Sequence, residues 1–100
     1  MKSTRLTIDA SKLRNSVSDL IGYVQPLDAS DIRNPPIVEI CGDRVEICDG
    51  YHRIAGLIAG GAETIECVTC DVPRWLSYAA DNGEQTMHRF AIGRIYAALK

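Results

Sequence analysis

Residues 37–48 constrain this chain more than any other stretch. Ile37 to Cys41 and Arg44 to Cys48 are two runs rich in β-formers, separated by Gly42-Asp43. That is the signature of a hairpin. With a two-residue turn, Val38, Ile40, Val45 and Ile47 fall on one face, and Glu39, Cys41, Arg44 and Glu46 on the other. The alternation is clean, so it predicts one packed face and one wetter face.

The elements around the hairpin set the class of fold. Arg5 to Ile8 alternates polar and apolar and reads as a short strand. Asp9 stands at a helix N-cap position, and Leu13, Val17, Leu20 and Ile21 recur at helical spacing. Gly22 and Pro26 close that pattern, and residues 23–36 read as a connecting loop. After the hairpin, Asp49-Gly50 breaks the strand and Tyr51 to Ile58 reads as a short helix. Its Ile54, Leu57 and Ile58 face inward, and Gly60-Gly61 ends it. Thr64 to Val72 reads as a buried strand. Pro73 suits the first turn of a further helix, with Trp75, Leu76 and Ala79 on its buried side. Asp81-Asn82-Gly83 marks a loop, and a last helix runs from about Thr86 to Leu99, with Met87, Phe90, Ala91, Ile95 and Leu99 at helical spacing. The expected fold is α+β: a small mixed sheet of about four strands with packed helices. Residues 1–100 form one domain, long enough to bury a core without staples.

The composition excludes several classes. The formal net charge is -2. A general nucleic-acid binder carries a strong positive surplus, so direct DNA binding by this domain alone is not expected. Met1 to Leu6 has no apolar run behind its charges and does not read as a signal peptide. No stretch is long and apolar enough to span a bilayer. The expected location is the cytoplasm, with the four cysteines as reduced thiols.

The order strand, Asp49-Gly50, helix carries the chemistry. A helix start presents unpaired N–H groups and the positive end of the helix dipole. Gly50 removes the side chain that would block close approach. Arg53 falls in the first turn, where its fork can clamp phosphate oxygens, and His52 beside it can donate a further bond. Two readings are open: a phosphate site, or a commonplace glycine with Arg53 in a salt bridge to a nearby acid.

Glu46 to Ala55 resembles the core motif of the ParB/sulfiredoxin superfamily. Pro36 to Ile40 resembles the strand before that motif, and Ala59-Gly60-Gly61 with Ile65 to Val68 resembles the strand after it. The resemblance covers about residues 35–72, and does not extend to the helices of residues 73–100. It implies a ParB/sulfiredoxin-like fold in which this loop binds nucleotide phosphates or carries a catalytic centre. The departures narrow that. Sulfiredoxins have a catalytic cysteine where this chain has Tyr51, so sulfinic-acid repair is not expected. Chromosome-partition ParB proteins have an arginine-rich loop for CTP, and here His52 and Ala55 stand in place of two of those arginines. Partition proteins also continue into a helix-turn-helix domain, which these residues do not contain. The Asp-Gly-x-His-Arg form looks like small stand-alone members, some resembling free-serine kinases. The implied ligand is ATP, ADP or CTP with magnesium, and a plasmid or phage origin fits the family.

On these grounds Gly50, Tyr51, His52 and Arg53 are the candidate phosphate or nucleotide ligands, and Glu46, Asp49 and His52 the candidate catalytic groups. Glu46 or Asp49 would act as base or magnesium ligand; Asp49 is equally placed to cap the helix. Tyr51 either lies over a base or ribose or simply packs. Glu39 opposite Glu46 is unfavourable unless paired, and Arg44 is the available partner. Cys67 and Cys70 are spaced like a zinc knuckle, but positions three apart in a strand point to opposite faces. They read as small buried hydrophobes, and no metal site is assigned. His88, Arg89 and Arg94 give the last helix a basic side, and an exposed part of its apolar face would be a homodimer or partner surface. The expected activity is a nucleotide-dependent phosphotransferase or phosphohydrolase on a small-molecule acceptor. The rivals are a non-catalytic nucleotide- or DNA-associated adaptor and a protein-interaction module.

Overall fold

Alternation turns into strand, and here it does so in four places. The structure, a computed structural model, describes residues 3–70 and 92–97. Its strands are β1 (Ser3–Asp9), β2 (Ile37–Cys41), β3 (Arg44–Asp49) and β4 (Thr64–Cys70), with one helix, α1 (Tyr51–Ala59), between β3 and β4. Residues 92–97 form a second helical segment. The strand order is β1-β4-β2-β3. β1 runs antiparallel to β4, β4 parallel to β2, and β2 antiparallel to β3. This is a small α+β fold with a mixed sheet, as the element order predicts.

The hairpin has the expected register. Val38 lies opposite Ile47, Glu39 opposite Glu46, Ile40 opposite Val45 and Cys41 opposite Arg44, with an irregularity between Ile37 and Val38. Its apolar face is covered at the base and opens toward the tip: Val38 and Ile47 are buried, whereas Ile40 is 46% exposed.

The hairpin alternation predicts one packed face, but the centre of the sheet packs on both, because Ile37 and Val68 face away from the main core and are covered by Ile95. One face packs Val38, Ile47, Ile65 and Cys67 against Leu13, Val17 and the α1 residues Ile54, Ala55, Leu57 and Ile58. The other packs Ile37 and Val68 against Ile95, with Cys48, Ile92 and Tyr96 at the margin. Removing a side chain such as Leu13 or Ile54 from water contributes about 1.5–3 kcal/mol. The spacing of Ile54, Leu57 and Ile58 is what turns one side of α1 to the sheet.

The N-terminal segment departs from expectation. One helix is predicted after Asp9; the structure has 3-10 segments at Ala10–Lys12 and Arg14–Val17, followed by turns. Asp9 occupies the cap position but makes no side-chain cap. Leu13 and Val17 are nevertheless fully buried. The apolar spacing is right about burial and wrong about geometry. Ser11, Asn15, Ser16 and Ser18 fill the positions between, and such side chains offer the backbone competing bonds. The Ser18 hydroxyl donates to the Asn15 carbonyl at 3.2 Å.

The long connection before β2 lies against α1. The Leu27 N–H donates to the Gly56 carbonyl at 2.9 Å. Gly60 permits this approach, because a Cβ there would overlap the Leu27 carbonyl oxygen. A 3-10 turn at Ala29–Asp31 is held by a reciprocal capping box between Asp28 and Asp31. The expectations for Pro73, Trp75, Leu76, Ala79, residues 81–83, Met87, His88, Arg89, Phe90, Ala91 and Leu99 lie outside the described residues. No helix among the described residues is long and apolar enough to cross a membrane.

Candidate functional site

The site forms where β3 hands over to α1. Gly50 is the N-cap and has φ 103, a left-handed backbone that L side chains avoid. Space also demands glycine. A Cβ here would sit 2.9 Å from Arg53 Nη2 and 2.9 Å from the Pro36 Cβ. The turn therefore lets the arginine fold back beside the backbone.

Arg53 is the hub of the polar contacts. Its Nη2 donates to Asp49 Oδ2 at 2.7 Å, and each side chain is 29% exposed. Its Nη1 donates to the Asn34 carbonyl and, at 3.2 Å, to the Tyr96 hydroxyl. The Tyr96 hydroxyl donates onward to the Pro35 carbonyl at 2.6 Å. Burial pushes the Tyr96 phenol above its ordinary pKa, and the bond from Arg53 offsets part of that rise. Both Nη1 hydrogens and one Nη2 hydrogen are thus engaged. The other Nη2 hydrogen and the Nε–H make no bond among the described residues. One side chain ties the start of α1, the approach to β2 and the 92–97 helix together.

Asp49 does not cap α1. The helix has no side-chain cap, and the carboxylate is taken by Arg53 one turn on. This corrects the capping expectation, because the charged donor offers Asp49 a stronger partner than a backbone N–H. Tyr51 folds its hydroxyl back to the Ile47 carbonyl at 3.0 Å and leaves 43% of its surface exposed. His52 is exposed, and its ring makes no hydrogen bond among the described residues.

Asp49, Gly50, Tyr51, His52 and Arg53, with Leu20, line one open concavity of ≈ 500 Å³. Five consecutive candidate residues are therefore brought together. Glu46 is not among them. It faces Glu39 across the hairpin, and its carboxylate pairs with exposed Arg44 at 3.5 Å. Strand register also gathers Glu39, Cys41 and Glu46, whose donor atoms lie within 4.8 Å of one another. Arg44 stands directly opposite Cys41 on the same face, so a positive charge already sits beside this group.

Cys67 and Cys70 occupy one strand. Cys67 is fully buried, and burial with the nearby Glu66 charge pushes its thiol to about 11. A thiol held neutral in a core is a small hydrophobe rather than a nucleophile. Asn34, Pro35 and Tyr96 are the site residues that pattern reasoning misses. Nothing local marks them, since Tyr96 and Arg53 are 43 residues apart.

The class defined by this geometry is a small mixed-sheet α+β domain with an open concavity at a helix start. Comparison with family models, with curated proteins and with solved structures finds no match for the chain.

Proposed function

We propose that this domain binds the phosphate of a nucleotide in the concavity at the start of α1, in the manner of a ParB/sulfiredoxin-like domain. The observation that carries the reading is that residues 49–53 line one open surface with Leu20. The N–H groups of the first helical turn, the exposed His52 ring and the remaining N–H groups of Arg53 supply donors. Leu20 and the exposed face of Tyr51 supply an apolar wall for a base or ribose. The proposed ligand is ATP, ADP or CTP with magnesium.

Binding without turnover is the better-supported form of this reading. Phosphoryl transfer asks for a group that positions or deprotonates the acceptor. Asp49 is the one carboxylate among the lining residues, and Arg53 holds it at 2.7 Å. Glu46 stands away from the concavity. An adaptor role therefore takes precedence over a kinase or phosphohydrolase acting on a small molecule.

Calorimetric titration with ATP, ADP and CTP, each with magnesium, tests the reading. His52→Ala is the informative variant, because nothing in the described fold depends on that ring. Arg53→Ala removes a binding group and the tie between three segments at once. The expected result is binding that His52→Ala weakens by about fivefold, near 1 kcal/mol. No binding of any of the three by the wild type would overturn the proposal. Magnesium-dependent hydrolysis would restore the enzyme reading.

A further inference from the structure

β4 runs past the strand beside it. Its bridge to β2 joins Ile37 to Val68, so residues 64–67 precede the start of β2. Backbone groups alternate in direction along a strand. The Val68 N–H donates to the Pro36 carbonyl on the β2 side at 2.8 Å, whereas the Glu63 carbonyl accepts from Ala10 on the β1 side. Thr64 and Glu66 therefore turn their N–H and C=O groups toward the side where β2 has not begun. No backbone partner meets them there among the described residues.

That bare edge borders a crevice. The connection that lies on α1 covers it, leaving a volume of ≈ 110 Å³. Ile32, Leu57 and Ile65 give it an apolar floor; Arg5, Arg33 and Glu66 stand at its rim. Ile65 is 1% exposed and Leu57 5%, so the floor belongs to the main core. Arg5 is matched by Glu66 at 2.6 Å. Arg33 is exposed and makes no hydrogen bond or ion pair among the described residues. The rim thus carries one positive charge beyond its ion pair. The crevice shares no lining residue with the Asp49–Arg53 concavity.

An apolar floor, an uncompensated guanidinium and an outward strand N–H together describe a receptor for a small amphipathic anion. We propose that this crevice binds a short aliphatic carboxylate of the size of isovalerate. Its alkyl chain rests on Ile32, Leu57 and Ile65, and its carboxylate accepts from Arg33 and from the Glu66 backbone N–H. The volume sets the size. An apolar cavity of about 150 Å³ accommodates benzene, so this one suits a chain of about four or five carbons. The charge-assisted bonds set the preference for an acid over its neutral analogue.

Titration of the isotope-labelled full chain with isovalerate and, separately, with 3-methylbutanol tests the assignment by amide resonances. Isovalerate is expected to give saturating shifts at Arg33, Thr64 and Glu66, and the alcohol to bind about tenfold more weakly. Arg33→Gln, at an exposed position, is expected to bring the acid down to the level of the alcohol while core resonances stay in place. Three results would each overturn the proposal: no saturating shift at these amides, equal binding of acid and alcohol, or isovalerate binding unchanged in Arg33→Gln.

Discussion

The two ends of α1 are fastened in different ways. The N-terminal end is held by charge and hydrogen bonds: Asp49, Asn34 and Tyr96 around Arg53, beside a left-handed Gly50. The C-terminal end is held by close backbone approach, with Leu27 bonded to Gly56 and laid against Gly60. A polar fastening can exchange one partner for another of like charge. A packed one cannot, because a filled contact leaves no alternative arrangement of similar energy. That difference puts the candidate phosphate site at the polar end.

Substitutions can break or sharpen this contrast. Arg53→Ala should have the largest effect, about 3 kcal/mol, because it strands a half-buried Asp49 and two acceptors. Urea denaturation measures it, and a loss no larger than that of Tyr96→Phe would show that Arg53 is not the hub. Gly60→Ala should follow at about 2 kcal/mol, since the added methyl meets backbone that must move rather than a flexible side chain. A neutral or stabilising result would mean that the packed end has slack, and the contrast would fail.

Tyr96→Phe should cost about 1 kcal/mol, the usual worth of a hydroxyl bonded within the fold. The effect should shrink in an Arg53→Ala background, because the two residues share a bond. His52→Ala should change stability by less than about 0.5 kcal/mol while weakening nucleotide binding. A large loss of stability would place His52 in the fastening instead of on the open surface.

Alkaline pH probes the core itself. The folded chain holds the Cys67 proton up to about 11, against an ordinary 9.0. Between those values the unfolded state binds fewer protons, so stability falls as pH rises. Below the ordinary value both states keep the proton and this contribution is constant. Tyr96, also raised, adds a loss in the same direction above its ordinary 10.0. Cys67→Ala should flatten the first part of the decline in a series of denaturation midpoints. An unchanged profile would mean that the thiol is not held by the core.

The hairpin was legible because period-two alternation about Gly42-Asp43 admits one register, and a slip of one residue would turn every apolar side chain outward. The run from Asp49 to Arg53 was legible because a glycine between a strand and a helical repeat marks a helix start. The geometry of residues 10–22 was not. Their apolar spacing serves a helix or successive 3-10 turns equally well, and the intervening serines and asparagine tip the local balance. Glu46 looked close to the loop along the chain, yet it faces along β3 toward Glu39 and Arg44.

Local pattern alone therefore determined the strands, α1 and its inward face, and the position of the glycine turn, because each depends on neighbours within a few residues. Only the tertiary structure decided what Arg53 does and where the chain leaves room. Tyr96 reaches Arg53 because Ile95 is buried on the far face of the sheet from α1. The crevice at Glu66 exists because β4 is longer than the start of β2 allows. Both depend on residues distant in the chain that meet only once the sheet is assembled, and no periodicity in the sequence records such a meeting.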